Sequence, residues 1–282
     1  MFFQHLQRQL QLHLQEPVEM QSYSQVPAID QGLANTRREL YVFSTGSQFG
    51  NAQTNNRHMA QLEPLMVFSE VPWCLFAQRS TWQQATDLHD WLAHQKQPVK
   101  IAINAIVGPA VLWAQLLSRS QTADPNAPSS LQIATYPIAY QPRDMFDQGA
   151  ALVLSYCWRA VDLSPDLQVI AQSSPRSAAY LRNVPSFAML KLPPLQAAWV
   201  TLFSEKNLSA PSRQRLIAAL EHIAAQPETA FILENHVGLK ALRFNHAQSQ
   251  QYMQDYLRTW QSVTDLLQWK DIADTELPAA AP

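Results

Sequence analysis

Short apolar runs alternate with amphipathic stretches along most of this chain. Leucines at 6, 10 and 14 in a polar setting put one apolar stripe on an opening helix. Glu39-Leu40-Tyr41-Val42-Phe43 reads as a strand, turned by Ser44-Thr45-Gly46-Ser47. Trp73 to Ala77 reads as a second strand. Thr86 to His94, with Leu88, Trp91 and Leu92 on one face, reads as a helix closed by Gln97-Pro98. Val99 to Ile103 is a strand, and Val111 to Leu117 a helix following Gly108-Pro109. The polar, proline-bearing stretch Ser118 to Ser130 reads as a loop. Strands are predicted at Leu131–Ala134, Ala151–Tyr156 and Leu167–Ala171. After Leu192-Pro193-Pro194 the register changes. A long strand over Gln196–Phe203 is followed by a helix over Ser212–Ala225 and a second helix with Pro227 in its first turn. A last helix, Gln248–Leu267, carries Tyr252, Tyr256 and Trp260 along one stripe and so places them in a core. Strands separated by helical patterns predict βα units, an α/β class and largely parallel sheets.

Composition narrows the function. With 282 residues and 47% hydrophobic positions, the chain has material for a sizeable core. A net charge of −2, without long like-charge runs, offers nothing to a nucleic-acid backbone. No apolar stretch of about 18 residues predicts a transmembrane helix, so direct membrane insertion is not expected. Six glycines leave almost no raw material for a phosphate-cradling loop, so no nucleotide cofactor is expected, and none of another kind. The start lacks a charged region, an apolar core and a small-residue cleavage site, so an N-terminal export signal is not read here. Cys74 and Cys157 form no CxxC pair. They read first as two small core residues, with a disulfide as the minority reading, one that needs an oxidising compartment.

Catalytic patterns are missing: there is no GxSxG, HExxH, GxxxxGK[ST] or GxGxxG. The eight histidines are scattered, and His89 and His94 sit five apart, off the spacing of helical metal ligands. Neither a catalytic residue nor a metal site is therefore expected. Three strand-to-helix loops remain as candidates for holding a small solute. They offer Thr45, Gly46 and Ser47; Asn104 and Gly108; and Tyr136 and Tyr140. Ligands of open α/β sheets bind beyond the carboxyl ends of strands, where helix starts expose backbone N–H groups.

The order of these segments resembles the solute-binding receptors of tripartite tricarboxylate transporters, the Bug family. Val71-Pro72-Trp73-Cys74-Leu75-Phe76-Ala77, the 86–94 helix and Pro98-Val99-Lys100-Ile101 carry the first part of the likeness. Leu167 to Arg176, then Asn183-Val184-Pro185-Ser186, carry the second. Trp199-Val200-Thr201-Leu202-Phe203, Pro227-Glu228, Gly238 and Gln251 to Trp260 complete it. The resemblance implies a two-lobed fold like that of class II periplasmic binding proteins, with two crossing strands near Pro72 and residues 196–199. Lobe one would be 1–71 plus 197–282, its first strand missing, and lobe two 72–196. It also implies a periplasmic, non-catalytic receptor holding a carboxylate, or a more apolar acid or amide, with membrane transporter subunits as partners. Taking Met1 as the true start implies the cytoplasm instead.

The departures from the family bear on the ligand. Asn104 to Leu112 replaces hydroxyls and a histidine by apolar groups and Pro109. Thr135 to Pro142 keeps Tyr136 and loses a Lys-Gly pair, while Gly149 persists and Leu152 stands where the family has an aspartate. A retuned, less anionic ligand, a late start and a degenerate paralogue all fit. The competing reading is a sensing or protein-interaction module whose partner surface shows Trp73, Trp82 and Trp113.

Overall fold

The structure is a computed structural model that describes residues 1–20, 40–43, 62–82, 88–95, 97–105, 109–120, 131–137, 139–174 and 179–266. Its strands are β1 (Leu40–Phe43), β2 (Leu62–Val71), β3 (Trp73–Gln78), β4 (Val99–Ile103), β5 (Leu131–Thr135), β6 (Leu152–Tyr156), β7 (Leu167–Gln172) and β8 (Ala198–Glu205). The described residues fall into two compact units. Those within 1–45, 51–70 and 199–259 form the first, and those within 71–198 and 260–266 the second.

In the first unit the sheet order is β1-β8-β2, with β1 antiparallel to β8. Helix α1 (Phe2–Leu14) buries Phe2, His5, Leu6 and Leu10, the spacing of one helical face. Phe2 meets Phe68 of β2 edge-on at 5.4 Å between ring centroids. The helix ends at Gln15, whose φ of 54° is a left-handed conformation that glycine usually supplies. In this glycine-poor chain Gln15 and Lys191 adopt it without glycine, while Gly149 (φ 82°) and Gly238 (φ 73°) use the freedom they have. The Ala210–Ala225 helix starts at Ser209, whose hydroxyl accepts from the Ser212 N–H at 3.3 Å. Pro227 then opens a short helix that widens into a π-turn over Ile232–Val237 and stops at Gly238. Tyr256 is buried as its stripe predicted, and burial pushes its phenol well above the ordinary range.

His5 is a buried histidine of this unit, 4% exposed. Its Nε2 lies 2.9 Å from Thr229 Oγ1, with Glu228 and Arg8 beside Nδ1. Burial lowers its pKa; Glu228 works against that and Arg8 adds to it. The folded state thus favours neutral imidazole. Its contribution is complete above the ordinary histidine value of about 6.5 and is lost as pH falls from there through the lowered folded value. Urea melts at pH 7 and pH 5 are expected to show a fall in stability that His5→Gln reduces; an unchanged slope in that variant contradicts the assignment.

The second unit holds a sheet of order β5-β4-β6-β3-β7. β4 is parallel to β5 and to β6, whereas β3 is antiparallel to both β6 and β7. Four strands therefore point one way and β3 alone is reversed. The reversal of β3 makes the sheet mixed where βα units predict parallel strands; an apolar run such as Trp73–Ala77 carries no signal of strand direction. The Pro109–Ser120 helix buries Pro109, Ala110, Val111, Leu112, Trp113, Ala114 and Leu117. Trp113 stacks on Phe187 at 5.0 Å, and its indole N–H donates to the Pro193 carbonyl at 2.8 Å. Trp73 and Trp113 are 2% and 1% exposed, so the partner surface expected of the competing reading is not formed by them. Their size and apolar area place them inside instead. Among the described residues no helix is long and apolar enough to cross a membrane.

Cys74 and Cys157 are joined by a disulfide, with 4.8 Å between Cα atoms. This corrects the expectation of two separate core residues. Cys74 pairs across the sheet with Ser155, two positions before Cys157, so strand pairing brings the sulfurs together. Both are buried in a cluster with Phe76, Met145, Phe146 and Val153.

Candidate functional site

Because β4, β5, β6 and β7 share a direction, their carboxyl ends lie along one edge of the second unit's sheet, beside the start of the reversed β3. The register sets the order of side chains there. Ile103 is level with Thr135 on one side and Leu154 on the other, which puts Asn104 level with Ser155. Ser155 is paired with Cys74, and Cys74 with Gln172. Cross-strand partners share a face, so a row of buried groups runs along this edge on one face of the sheet.

Asn104 anchors that row. It is wholly buried, and its amide Nδ2 donates to the Pro137 carbonyl at 2.8 Å. Its Oδ1 accepts from the Ser155 hydroxyl at 2.9 Å, and its backbone N–H donates to Leu154 O at 2.9 Å. The side chain thus ties the segment after β5 to β4 and β6. Gln172 does the same farther along, donating from Nε2 to the carbonyls of Leu181 (3.0 Å) and Val184 (2.7 Å). These are positioning roles: both amides hold the course of the loops leaving the sheet.

Tyr136 donates its backbone N–H to Ile103 O at 2.8 Å, and its ring is 3% exposed in the core cluster. Tyr140 is half-buried, its N–H on Pro137 O at 3.1 Å and its ring 5.4 Å from that of Tyr136. The structure therefore brings Asn104, Tyr136 and Tyr140 together at one edge. Thr45, Gly46, Ser47 and Gly108 lie outside the described residues.

Sequence reasoning missed two members of this row. Ser155 and Gln172 belong to the polar row, and a serine inside the apolar run Leu152–Tyr156 was the available signal. Trp73 and Tyr156, the next cross-strand pair, fall on the opposite face of the sheet, stacked at 4.1 Å with 27° between their planes. Arg159, in the turn just after β6, sits over the Trp158 ring at 4.0 Å. Burial lowers its pKa, and Asp144 opposes that.

Chemically, the row supplies amide, hydroxyl and phenol groups with aromatic surface. A base beside a free nucleophile is not among its described members, and no cluster of three or more described His, Cys, Asp or Glu residues could hold a metal ion. Such an edge suits recognition by hydrogen bonds and packing.

No protein-family description and no curated protein matches the chain. Solved structures do match it. MatC from Rhodopseudomonas palustris with bound malate is similar at a TM-score of 0.65 and 17% identity, covering 93% of this chain and 92% of its own. A second R. palustris protein, solved with adipate, is similar at 0.67 and 13% identity, with 94% and 91% covered. The periplasmic binding protein BugD is similar at 0.66 and 15%, again with 94% and 91% covered. Receptors of the tripartite tricarboxylate type are thus among the structures this chain resembles, and the α/β fold is that of the periplasmic binding proteins.

Proposed function

We propose, from that fold as premise, that this chain is a non-catalytic solute-binding receptor of the tripartite tricarboxylate transporter type. The observation that carries the reading is the likeness, over nine-tenths of both chains, to proteins solved with malate and adipate. The carboxyl edge of the second unit adds to it, because it offers neutral hydrogen-bonding and aromatic groups rather than reacting ones. The solute is a small carboxylate, or a more apolar acid, held with the help of Thr45, Gly46, Ser47, Asn104, Gly108, Tyr136 and Tyr140. Asn104 and Tyr136 serve by fixing the loops. The lobe assignment, 1–71 with 197–282 and 72–196, belongs to the same proposal, as do membrane transporter subunits as partners. A periplasmic location is supported by the Cys74–Cys157 disulfide, which persists in oxidising compartments.

A thermal-shift panel of di- and tricarboxylates, monocarboxylic acids and amides tests the reading. A solute at a hundred times its Kd stabilises by about 2.7 kcal/mol. In a chain of this size that raises Tm by several degrees. A cooperatively melting chain that responds to no member of the panel would sink the proposal.

A further inference from the structure

We infer that His13 and His222 together form a binding site for a divalent transition-metal cation, which joins the end of α1 to the Ala210–Ala225 helix; this stands apart from the receptor reading. The two rings meet across the helices at 4.4 Å between centroids, with 62° between their planes. They are one rung of a ladder. One turn toward the start of α1, Gln9 Oε1 accepts from Gln226 Nε2 at 3.2 Å. On the other side Arg215 donates to the Leu14 carbonyl at 2.7 Å and to the Glu16 carboxylate at 3.1 Å. Gln9 precedes His13 by four residues and Gln226 follows His222 by four, so the helices run antiparallel with their facing residues in register.

Both histidines are exposed, and among the described residues neither ring takes part in a hydrogen bond or an ion pair. His5, His94 and His246, by contrast, each hold a polar partner. A neutral imidazole offers one nitrogen lone pair, and imidazole suits zinc, copper and nickel. Metal–nitrogen bonds of about 2.0–2.1 Å place two neighbouring imidazole ligands roughly 4.5–5 Å apart, centre to centre. The pair already stands near that spacing. Charge does not oppose the cation, since the adjacent Arg215 is paired with Glu16. With two ligands from the protein, water fills the remaining positions, so the cation exchanges and is not a resident structural metal. The last buried residue of α1 is Leu10. Beyond it the helix is held by the polar rungs, and a bound cation adds a clamp there.

The test is thermal melting of the untagged full chain with and without nickel or zinc chloride, beside His13→Gln, His222→Gln and the double variant. A cation at about a hundred times its Kd is expected to raise Tm by several degrees, reversibly with EDTA, while magnesium gives no rise. Either substitution should remove most of that rise. The double variant should lose no more than a single one, because one imidazole alone cannot bridge the helices. A rise that survives either substitution, or that falls in additive halves, assigns the metal to separate surface histidines and overturns the inference. An unaltered chain that shows no rise with nickel or zinc overturns it as well. Both rings are exposed, so the metal-free variants should melt close to the unaltered chain. Should one of them melt far lower, the other decides.

Discussion

Replacing Cys74 and Cys157 together by alanine is expected to cost the second unit roughly 4 kcal/mol of stability. The bridge joins residues 83 apart in sequence, so cutting it returns a long loop's freedom to the unfolded chain. The chain-entropy relation puts that between about 4 and 5 kcal/mol, within the roughly 2–5 kcal/mol seen when native disulfides are removed. Both sulfurs are buried, at 0% and 1%, so a reductant has no direct approach to them in the folded protein. Added dithiothreitol should therefore leave the folded chain's signal unchanged for as long as it stays folded. Unfolding and refolding under the same reductant should give a chain that melts well below the oxidised one. Urea melts of the oxidised, reduced and double-alanine chains check this. Coincident curves for all three contradict the structural role of the bridge.

Asn104→Ala is expected to have the next largest effect, about 2–4 kcal/mol of stability together with a fall in solute affinity. Two hydrogen bonds in a fully buried setting disappear, and the cost lies mostly in what they leave behind. The Pro137 carbonyl loses the amide that donated to it, and the Ser155 hydroxyl loses its acceptor. Unsatisfied buried groups cost about 1–3 kcal/mol each, more than a satisfied bond gains. Ser155→Ala should cost less, because Asn104 keeps its bond to Pro137. The double variant should cost less than the sum of the two, since the pair shares one interaction. Strict additivity in that cycle would show that the Asn104–Ser155 contact carries no coupling. An affinity that survives Asn104→Ala would separate the residue from solute binding altogether.

The elements with continuous apolar runs were legible in the sequence. Trp73–Ala77, Val99–Ile103 and Leu167–Ala171 became β3, β4 and β7 with ends shifted by no more than a residue. Helix α1 was legible through its leucines, although Phe2 and His5 share its buried face. β2 was not, because Glu63, Pro64, Ser69 and Glu70 interrupt its ten residues. Its polar positions are made tolerable by partners far away in sequence, such as the Lys240 carbonyl that accepts from Ser69 Oγ at 2.8 Å. The six-residue helix Pro142–Asp147 is too short to show a period.

The candidate site was legible in place more than in role. Asn104 and Tyr136 were picked out by their position just past strand ends, and they do lie at that edge. A sequence displays the donor and acceptor groups of an asparagine; it does not display that Pro137 and Ser155 already use them. Nor does it display that Cys157 lies beside Cys74, since that contact depends on the non-local pairing of β3 with β6. Trp73 follows the same rule. Its size made it a candidate for an exposed surface, and its register put it inside with an unpaired donor.

Receptor function is tested most directly by isothermal titration of the full oxidised chain with adipate and with the acid that raises Tm most in the panel. A receptor of this type gives saturable binding of one solute per chain. No saturable heat with any carboxylic acid, from a chain that melts cooperatively, would contradict it.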